Sequence, residues 1–228
     1  MGLTLADRIA EVQDRIARAA ARAGRSTGEI SLVAVSKTVP RSVVDEAYAL
    51  GLREFGENRV IDCVEKYAAP LPGDARLHLI GQLQTNKAKT AAALFDVIHS
   101  VDRPSLITAL ERQTAAHERE IDVLLQVNVA GEEQKAGCAP DEVCALVRQL
   151  QDAPSLRLRG LMTMAPLVDD PEAARPVFRD LRLLRDQLAT EVGIELPWLS
   201  MGMTNDFEVA IEEGATHVRV GRAIFEGS

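Results

Sequence analysis

The chain has 228 residues, of which 46% are hydrophobic and 26% charged, and its formal net charge is −8. This length and composition fit one globular domain that can bury a core without disulfides or metal ions. The acidic balance argues against a general nucleic-acid or anionic-membrane binder, because such proteins carry an excess of basic residues.

The cysteines, the histidines and the N-terminus indicate a cytosolic protein. The three cysteines contain no Cys-x-x-Cys pair, and the four histidines lack the spacing of metal ligands. We find neither a secretory signal nor a stretch of about 18 uncharged apolar residues. We therefore expect reduced thiols, no metal ion and no membrane segment.

An amphipathic helix is predicted at the N-terminus, within residues 1–25. Thr4 is a candidate N-cap and Gly24 a candidate C-terminal stop. The helix has a single apolar stripe with the spacing i, i+4, i+7, i+11, formed by Leu5, Ile9, Val12 and Ile16.

From residue 31 onward, short apolar runs typical of buried strands alternate with helix-sized segments. The runs are 31–36, 53–55, 77–80, 97–100, 123–129, 158–162, 198–200 and 217–220. The helical segments lie near 43–50, 57–68, 86–94, 104–118, 140–151, 171–191 and 205–213. Eight strands in one chain favour a closed barrel over a doubly wound sheet. We predict an α/β fold: a single-domain (β/α)₈ TIM barrel over 31–228 with an extra N-terminal helix.

In such barrels the functional site forms at the carboxyl ends of the strands. Of the five lysines, Lys37 alone follows an apolar strand directly. Burial disfavours the charged form of an amine, and a neutral amine can attack an aldehyde to form a Schiff base. The alternative is a lysine that extends past the strand end into solvent.

The loops after strands seven and eight are the recurrent phosphate-binding place in barrels. Residues 200–206 (SMGMTND) end strand seven and open a helix, and Gly221-Arg222 follows strand eight. Glycine, hydroxyl groups and free backbone N–H groups at a helix N-terminus suit an anion. The alternative is ordinary helix capping by Thr204 or Asn205.

Arg219 lies in the middle of strand eight, between Val218 and Val220. If the valines face the covering helices, the arginine points into the barrel. A guanidinium there is costly unless it binds a ligand or pairs with an inward carboxylate. Lys37, the anion-binding loops and Arg219 together fit pyridoxal 5′-phosphate (PLP), with its aldehyde on Lys37, its phosphate in the loops and its ring nitrogen at Arg219.

The sequence resembles the pyridoxal phosphate homeostasis protein family, which is related to the barrel domain of alanine racemase, a PLP-binding barrel of fold type III. The matching segments extend from strand one to strand eight. They are 34–38 (AVSKT), 55–58 (FGEN), 78–84 (HLIGQLQ) with 86–87 (NK), 99–103 (HSVDR), 126–128 (QVN) with 131–133 (GEE), 159–162 (RGLM), 199–203 (LSMGM) and 218–221 (VRVG).

The resemblance implies a cofactor-binding role for ten residues. Lys37 carries PLP covalently, and Arg219 lies at the pyridine nitrogen. Phosphate contacts come from the segment around Gly202 and from the strand-eight loop, and three further residues line the pocket. The remaining eight residues in these roles are Ser200, Gly202, Thr204, Gly221, Arg222, Asn58, His78 and Met162.

One position departs from the family pattern. A small hydroxyl residue usually follows the glycine after the strand-eight arginine, and here Arg222 stands there. Its backbone N–H is kept, so the phosphate loop is expected to survive, while a side-chain contact stays open.

We expect a PLP carrier that delivers the cofactor to apo-enzymes, without substrate turnover and without catalytic residues. Arginine at the ring nitrogen disfavours protonation of the pyridine and makes it a poorer electron sink. The alternative is an amino-acid racemase of the alanine racemase type, which needs a second base, normally a tyrosine. The two tyrosines, Tyr48 and Tyr67, fall in helical segments, and no second domain is apparent. A Schiff-base aldolase would leave Arg219 without a role. We expect a monomer.

Overall fold

The computed structural model describes residues 2–132 and 136–226. Within these residues eight parallel strands close into a barrel in chain order, and β8 pairs with β1. The strands are β1 (Ser31–Val35), β2 (Glu54–Glu57), β3 (Arg76–Leu79), β4 (Val97–Val101), β5 (Ile121–Gln126), β6 (Leu156–Met162), β7 (Trp198–Met203) and β8 (His217–Val220). The predicted (β/α)₈ barrel with an N-terminal helix is confirmed.

Helices follow the strands around the barrel. Among the described residues they are α1 (Leu5–Arg22), α2 (Arg41–Ala49), α3 (Val60–Lys66), α4 (Ala88–Leu94), α5 (Pro104–Ala116), α6 (Val143–Gln151), α7 (Arg175–Val192), α8 (Phe207–Glu212) and α9 (Arg222–Phe225). Single 3₁₀ turns occur at Thr27–Glu29, Thr85–Lys87, Pro140–Glu142 and Pro171–Ala174. None of these helices combines the length and apolar character that crossing a bilayer requires.

Three strands end two or three residues away from the predicted position, and hydrogen bonding explains two of these differences. β5 ends at Gln126 rather than at residue 129, because the chain leaves the ladder and Val127 bridges to Cys138 instead. β7 extends to Met203, which pairs with Arg219 of β8. β2 extends to Glu57 rather than ending at residue 55. The short helix α9 was not expected after strand eight.

The helix α1 begins where the sequence indicates. Asp7 N donates to Thr4 Oγ1 at 3.2 Å and Thr4 N donates to Asp7 Oδ2 at 2.9 Å, which completes a capping box. The predicted apolar stripe is buried, and α1 packs against α8 and α9. The N-terminal helix therefore packs on the outside of the barrel against the two helices that follow β7 and β8.

Because all eight strands are parallel, their carboxyl ends meet at one mouth of the barrel. The segments that follow β1, β2, β7 and β8 carry Lys37, Asn58, Thr204 and Gly221 to that mouth. Glu133, which belongs to the matching segment 131–133, lies outside the described residues, and so do Lys135, Gly227 and Ser228.

Candidate functional site

A cavity of about 500 Å³ opens at the mouth of the barrel. Its volume is in the range of roughly 300–1,000 Å³ that is typical of small-molecule sites. The cavity is lined by six of the ten residues singled out in the sequence: Lys37, Asn58, Thr204, Arg219, Gly221 and Arg222. The barrel thus brings together groups that are up to 185 residues apart in the chain (Lys37 to Arg222).

Lys37 lines the cavity two residues beyond the end of β1. The expected burial of this side chain is wrong: Lys37 is exposed, because β1 ends before it and the cavity is open at this point. Within residues 2–132 and 136–226 the amine has no hydrogen-bond or ion-pair partner. The amine is therefore free to meet a ligand that enters the mouth.

The backbone on the N-terminal side of Lys37 is held by a buried polar cluster. Lys66 Nζ donates to the carbonyl oxygen of Ser36 at 2.6 Å and to Glu57 Oε1 at 2.7 Å. Ser36 Oγ and Tyr67 OH each donate to the same carboxylate oxygen at 2.8 Å. Since this cluster fixes the peptide bond before Lys37, it fixes where that side chain starts. One feature of the sequence could have indicated this cluster: an ionisable residue, Glu57, follows an apolar strand segment.

The turn between β7 and α8, which is separated from the end of β1 only by β8, supplies unpaired polar groups to the cavity. Met203 N donates to Asp206 Oδ1 at 2.6 Å, which closes the turn. The backbone N–H groups of Thr204 and Asn205 have no acceptor among the described residues, and both residues line the cavity. The alternative to an anion site, capping of α8 by Thr204 or Asn205, is wrong, because Asp206 occupies the N-cap of α8. The helix α8 itself has six residues, so the turn and not the helix dipole carries the arrangement.

Arg219 points from β8 into the barrel, as the valines on either side predict, and it is 4% exposed. Its Nη1 donates to Ser200 Oγ at 2.7 Å and its Nη2 to the carbonyl oxygen of Thr163 at 2.9 Å. Burial lowers the pKa of this guanidinium to about 10, although the nearby carboxylate of Asp206 opposes that effect. The group stays charged at neutral pH, and no carboxylate among the described residues forms an ion pair with it.

Four predicted site residues do not line the cavity. Ser200 and His78 are fully buried inside the barrel, where both are hydrogen bonded to His99. Met162 is buried in an apolar cluster with Val97 and Leu124. Their predicted contacts with the cofactor stay predictions, and the structure places these side chains behind the cavity wall.

Gly202, the fourth, shapes the β7–α8 turn. Its φ is +90°, and a Cβ there would lie 2.6 Å from the Cβ of Ala210 and 2.8 Å from the Cα of Phe207. Gly202 therefore allows β7 to approach α8 closely. Gly221 serves similarly at the end of β8, where a Cβ would meet the carbonyl oxygen of Val35 at 3.0 Å.

Comparison with known proteins assigns the chain to a family. A family model described as alanine racemase, N-terminal domain, matches residues 9–228. A pyridoxal phosphate homeostasis protein from Aquifex aeolicus is 45% identical over 219 residues, which cover 96% of each chain. This chain belongs to the pyridoxal phosphate homeostasis protein family. A second member, from Pseudomonas aeruginosa, is 43% identical over 222 residues, which cover 97% of this chain and 95% of the relative.

A solved structure of a relative has the same fold over the whole chain. PipY of Synechococcus elongatus PCC7942, solved with PLP bound, is 36% identical and superposes with a TM-score of 0.85. The match covers 97% of this chain and 100% of that chain. The barrel fold described above is therefore shared with this relative.

The rim of the cavity contains residues that were not predicted from the sequence as site residues. The segment after β6 forms an apolar wall of the cavity, in which Met164 is 44% and Leu167 87% exposed. Two carboxylates, Asp206 and Glu226, also line the cavity, and Thr38 Oγ1 donates to Glu226 Oε1 at 3.3 Å. The sequence after β6 predicts only a proline-containing loop. That this loop lines the cavity is evident only from the tertiary fold.

Proposed function

We propose that this protein binds PLP as a Schiff base on Lys37 and acts in intracellular PLP homeostasis without turning over a substrate. The observation that carries the proposal is the arrangement across one cavity. The cavity lining brings together the free amine of Lys37, the unpaired N–H groups of Thr204 and Asn205, and the buried guanidinium of Arg219. These groups come from the adjacent strands β1, β7 and β8 or the turns after them. An aldehyde that bears a phosphate and a ring nitrogen matches all three groups.

The residues present fit PLP in defined roles. The N–H groups of Thr204 and Asn205, the backbone at Gly221 and the side chain of Arg222 suit a phosphate, because N–H groups and cations stabilise an anion. Arg219 suits the ring nitrogen, since a guanidinium is a donor and that nitrogen is an acceptor when unprotonated.

Asn58 also lines the cavity, where its side chain has no hydrogen-bond partner among the described residues. When bound, PLP supplies an aldehyde that condenses with an amine and releases water. The residues assigned to the phosphate and the ring nitrogen leave that aldehyde to Lys37. Ser200, His78 and Met162 support this site from behind.

The positions of the tyrosines favour a carrier over a racemase. Racemisation needs a second base on the face of the substrate opposite the lysine. Tyr48 OH donates to Asp74 Oδ1 at 2.6 Å, and Tyr67 OH donates to Glu57. Neither lines the cavity. Burial and the adjacent carboxylate of Glu57 both raise the pKa of Tyr67, so its phenol stays protonated.

Reversible capture of a reactive aldehyde limits its free concentration and allows its delivery to apo-enzymes that need PLP. In this proposal the barrel from residue 31 onward and the helix α1 packed on it form one PLP-binding domain. The protein acts as a monomer, and it acts in the cytoplasm. The net charge of −8 is consistent with a small-molecule carrier that does not bind nucleic acid.

The test is the visible absorption spectrum of purified protein after incubation with PLP and dialysis. We expect the wild type to show an imine band that borohydride reduction abolishes, and Lys37→Ala to show none. The matched control is Lys89→Ala, which removes an exposed lysine on α4 and leaves the band unchanged. An imine band of equal intensity in Lys37→Ala overturns the proposal.

A further inference from the structure

A continuous chain of hydrogen bonds crosses the barrel interior beneath the cavity. Arg219 Nη1 donates to Ser200 Oγ at 2.7 Å, and Ser200 Oγ lies 2.8 Å from His99 Nδ1. His99 Nε2 lies 2.8 Å from His78 Nδ1, and His78 Nε2 bonds to Glu54 Oε2. The chain passes through side chains of β8, β7, β4, β3 and β2, and every member except Glu54 is at most 4% exposed.

The direction of each hydrogen bond follows from Arg219, which has donors and no acceptor. Since Ser200 Oγ accepts from Arg219, its own hydrogen is available for His99 Nδ1. A neutral His99 with Nδ1 as acceptor carries its proton on Nε2 and donates it to His78 Nδ1. His78 then donates from Nε2 to the carboxylate of Glu54. All four bonds therefore point from the guanidinium toward the carboxylate.

The charges at both ends keep this pattern fixed. Burial raises the pKa of Glu54, but the hydrogen bond from His78 and the positive charges nearby outweigh burial and leave that pKa below its usual value. Burial is the largest cause that lowers the pKa of His99 well below 6.5, and the neighbouring His78, His217, Arg219 and Arg76 act in the same direction. With a cation at one end, an anion at the other and a neutral His99 between them, this arrangement gives every donor in the chain of hydrogen bonds an acceptor.

We infer that His99, together with Ser200, His78 and Glu54, positions Arg219 for the ring nitrogen of PLP. The inference rests on the proposed function, in which Arg219 faces that nitrogen. A side chain with several rotatable bonds is held on one side by the carbonyl of Thr163 and on the other by this chain. His78 thereby has a role in the site without lining the cavity.

The barrel contains a matched control in His217. This residue is 4% exposed, and its ring centroid lies 6.4 Å from that of His78 and 6.3 Å from that of His99. His217 Nδ1 lies 2.9 Å from Thr216 Oγ1. Among the described residues, His217 forms no hydrogen bond with Arg219, Ser200, His99, His78 or Glu54, the members of the chain of hydrogen bonds. His99→Phe breaks the chain, whereas His217→Phe makes the same chemical change in the same interior and leaves it intact.

The experiment compares the dissociation constants of PLP and of deazapyridoxal 5′-phosphate, in which C–H replaces the ring nitrogen. Both ligands carry an aldehyde and a phosphate, and any intrinsic difference in the reactivity of their aldehydes is the same for every variant. The change in the ratio of the two constants between variants therefore reports the contact at the nitrogen. We expect the wild type to prefer PLP by about tenfold, the effect of one hydrogen bond to a charged group. His217→Phe keeps this preference, and His99→Phe reduces it to less than about threefold.

Ser200→Ala is the second variant, for the case in which His99→Phe does not fold. It removes the direct partner of Arg219, and any phosphate contact of Ser200 cancels in the ratio. The inference is overturned if His99→Phe and Ser200→Ala both keep the full preference, if His217→Phe loses it equally, or if the wild type binds both ligands equally well. A wild type that binds neither ligand overturns the proposed function itself.

Discussion

Charged groups at the mouth of the barrel and charged groups buried behind it differ in whether they have hydrogen-bond or ion-pair partners. At the mouth, Lys37 is exposed and its amine has no partner among the described residues. Lys66, the last residue of α3, has a side chain that is 13% exposed, and it bonds both the carbonyl of Ser36 and the carboxylate of Glu57. Both lysines adjoin Ser36, Lys37 as the next residue in the chain and Lys66 through a hydrogen bond to its carbonyl. The amine of Lys37 is nevertheless free, whereas that of Lys66 is fixed.

This contrast separates groups that hold the fold from groups that meet a ligand. Buried polar groups need partners because an unsatisfied group costs free energy. Groups at the mouth can stay unpaired because water reaches them and a ligand can replace that water. Substitutions in the interior should therefore change stability, and substitutions at the mouth should change binding.

The largest effect that we expect is a loss of stability in mild acid. Burial lowers the pKa of His217 to about 3 and that of His99 well below 6.5. The unfolded chain binds protons on both histidines below pH 6.5 while the folded chain does not, so the free energy of unfolding falls as the pH falls. Between pH 7 and pH 5 the loss from His217 is about 2 kcal/mol, and His99 adds to the loss in the same direction.

Urea denaturation at the two pH values measures this loss. His217→Phe should remove the part of the loss that comes from His217, about 2 kcal/mol, because His99 is then the only one of these two histidines whose pKa differs between the folded and unfolded chains. Lys37→Ala, at the mouth, should leave the loss unchanged. Equal stability of the wild type at pH 7 and pH 5 contradicts the assignment of neutral interior histidines.

The same substitution at the two lysines gives the next largest difference. Lys66→Met leaves the carboxylate of Glu57 buried without its cation, so we expect it to lower the free energy of unfolding by about 3 kcal/mol. Lys37→Met should change it by less than about 0.5 kcal/mol, since no contact is lost.

Adding Glu57→Gln to Lys66→Met tests the cause. The amide oxygen can still accept from Ser36 and Tyr67 but carries no charge, so the double variant should recover more than half of the lost stability. Denaturation of all four proteins under one set of conditions gives the cycle. A Lys66→Met variant as stable as Lys37→Met would show that the buried pair contributes nothing.

A smaller effect is expected at Arg222, which lines the cavity and has no partner among the described residues. If its side chain contacts the phosphate, Arg222→Ala weakens PLP binding by up to about fivefold at low salt, and less at high salt. Binding of unphosphorylated pyridoxal should not change. Arg18→Ala, at an exposed position on α1, is the control. Equal weakening of both ligands would place Arg222 away from the phosphate.

The sequence predicts the barrel and the residues at its mouth, because apolar strand periodicity and the parallel direction together decide which residues follow strand ends. It does not predict the interior chain. Glu54, His78 and His99 lie in three separate strands, and their contacts depend on strand register after the barrel closes. One signal was available: His78, His99 and His217 each lie inside an apolar run, where a histidine needs a partner.

The prediction that Lys37 is buried was wrong for a related reason. An apolar run predicts a buried strand but does not give its last buried residue, and β1 ends two residues before the lysine. The roles assigned to Ser200 and His78 from the resemblance also depend on side-chain direction, which strand position alone leaves open.

The most direct test of the central claim is to locate the PLP adduct. Protein loaded with PLP is reduced with borohydride, digested, and analysed by peptide mass spectrometry. We expect the added phosphopyridoxyl mass on the peptide that contains Lys37, at near one equivalent per chain. A reduced adduct confined to Lys66, Lys87, Lys89 or Lys135, with Lys37 unmodified, contradicts the account.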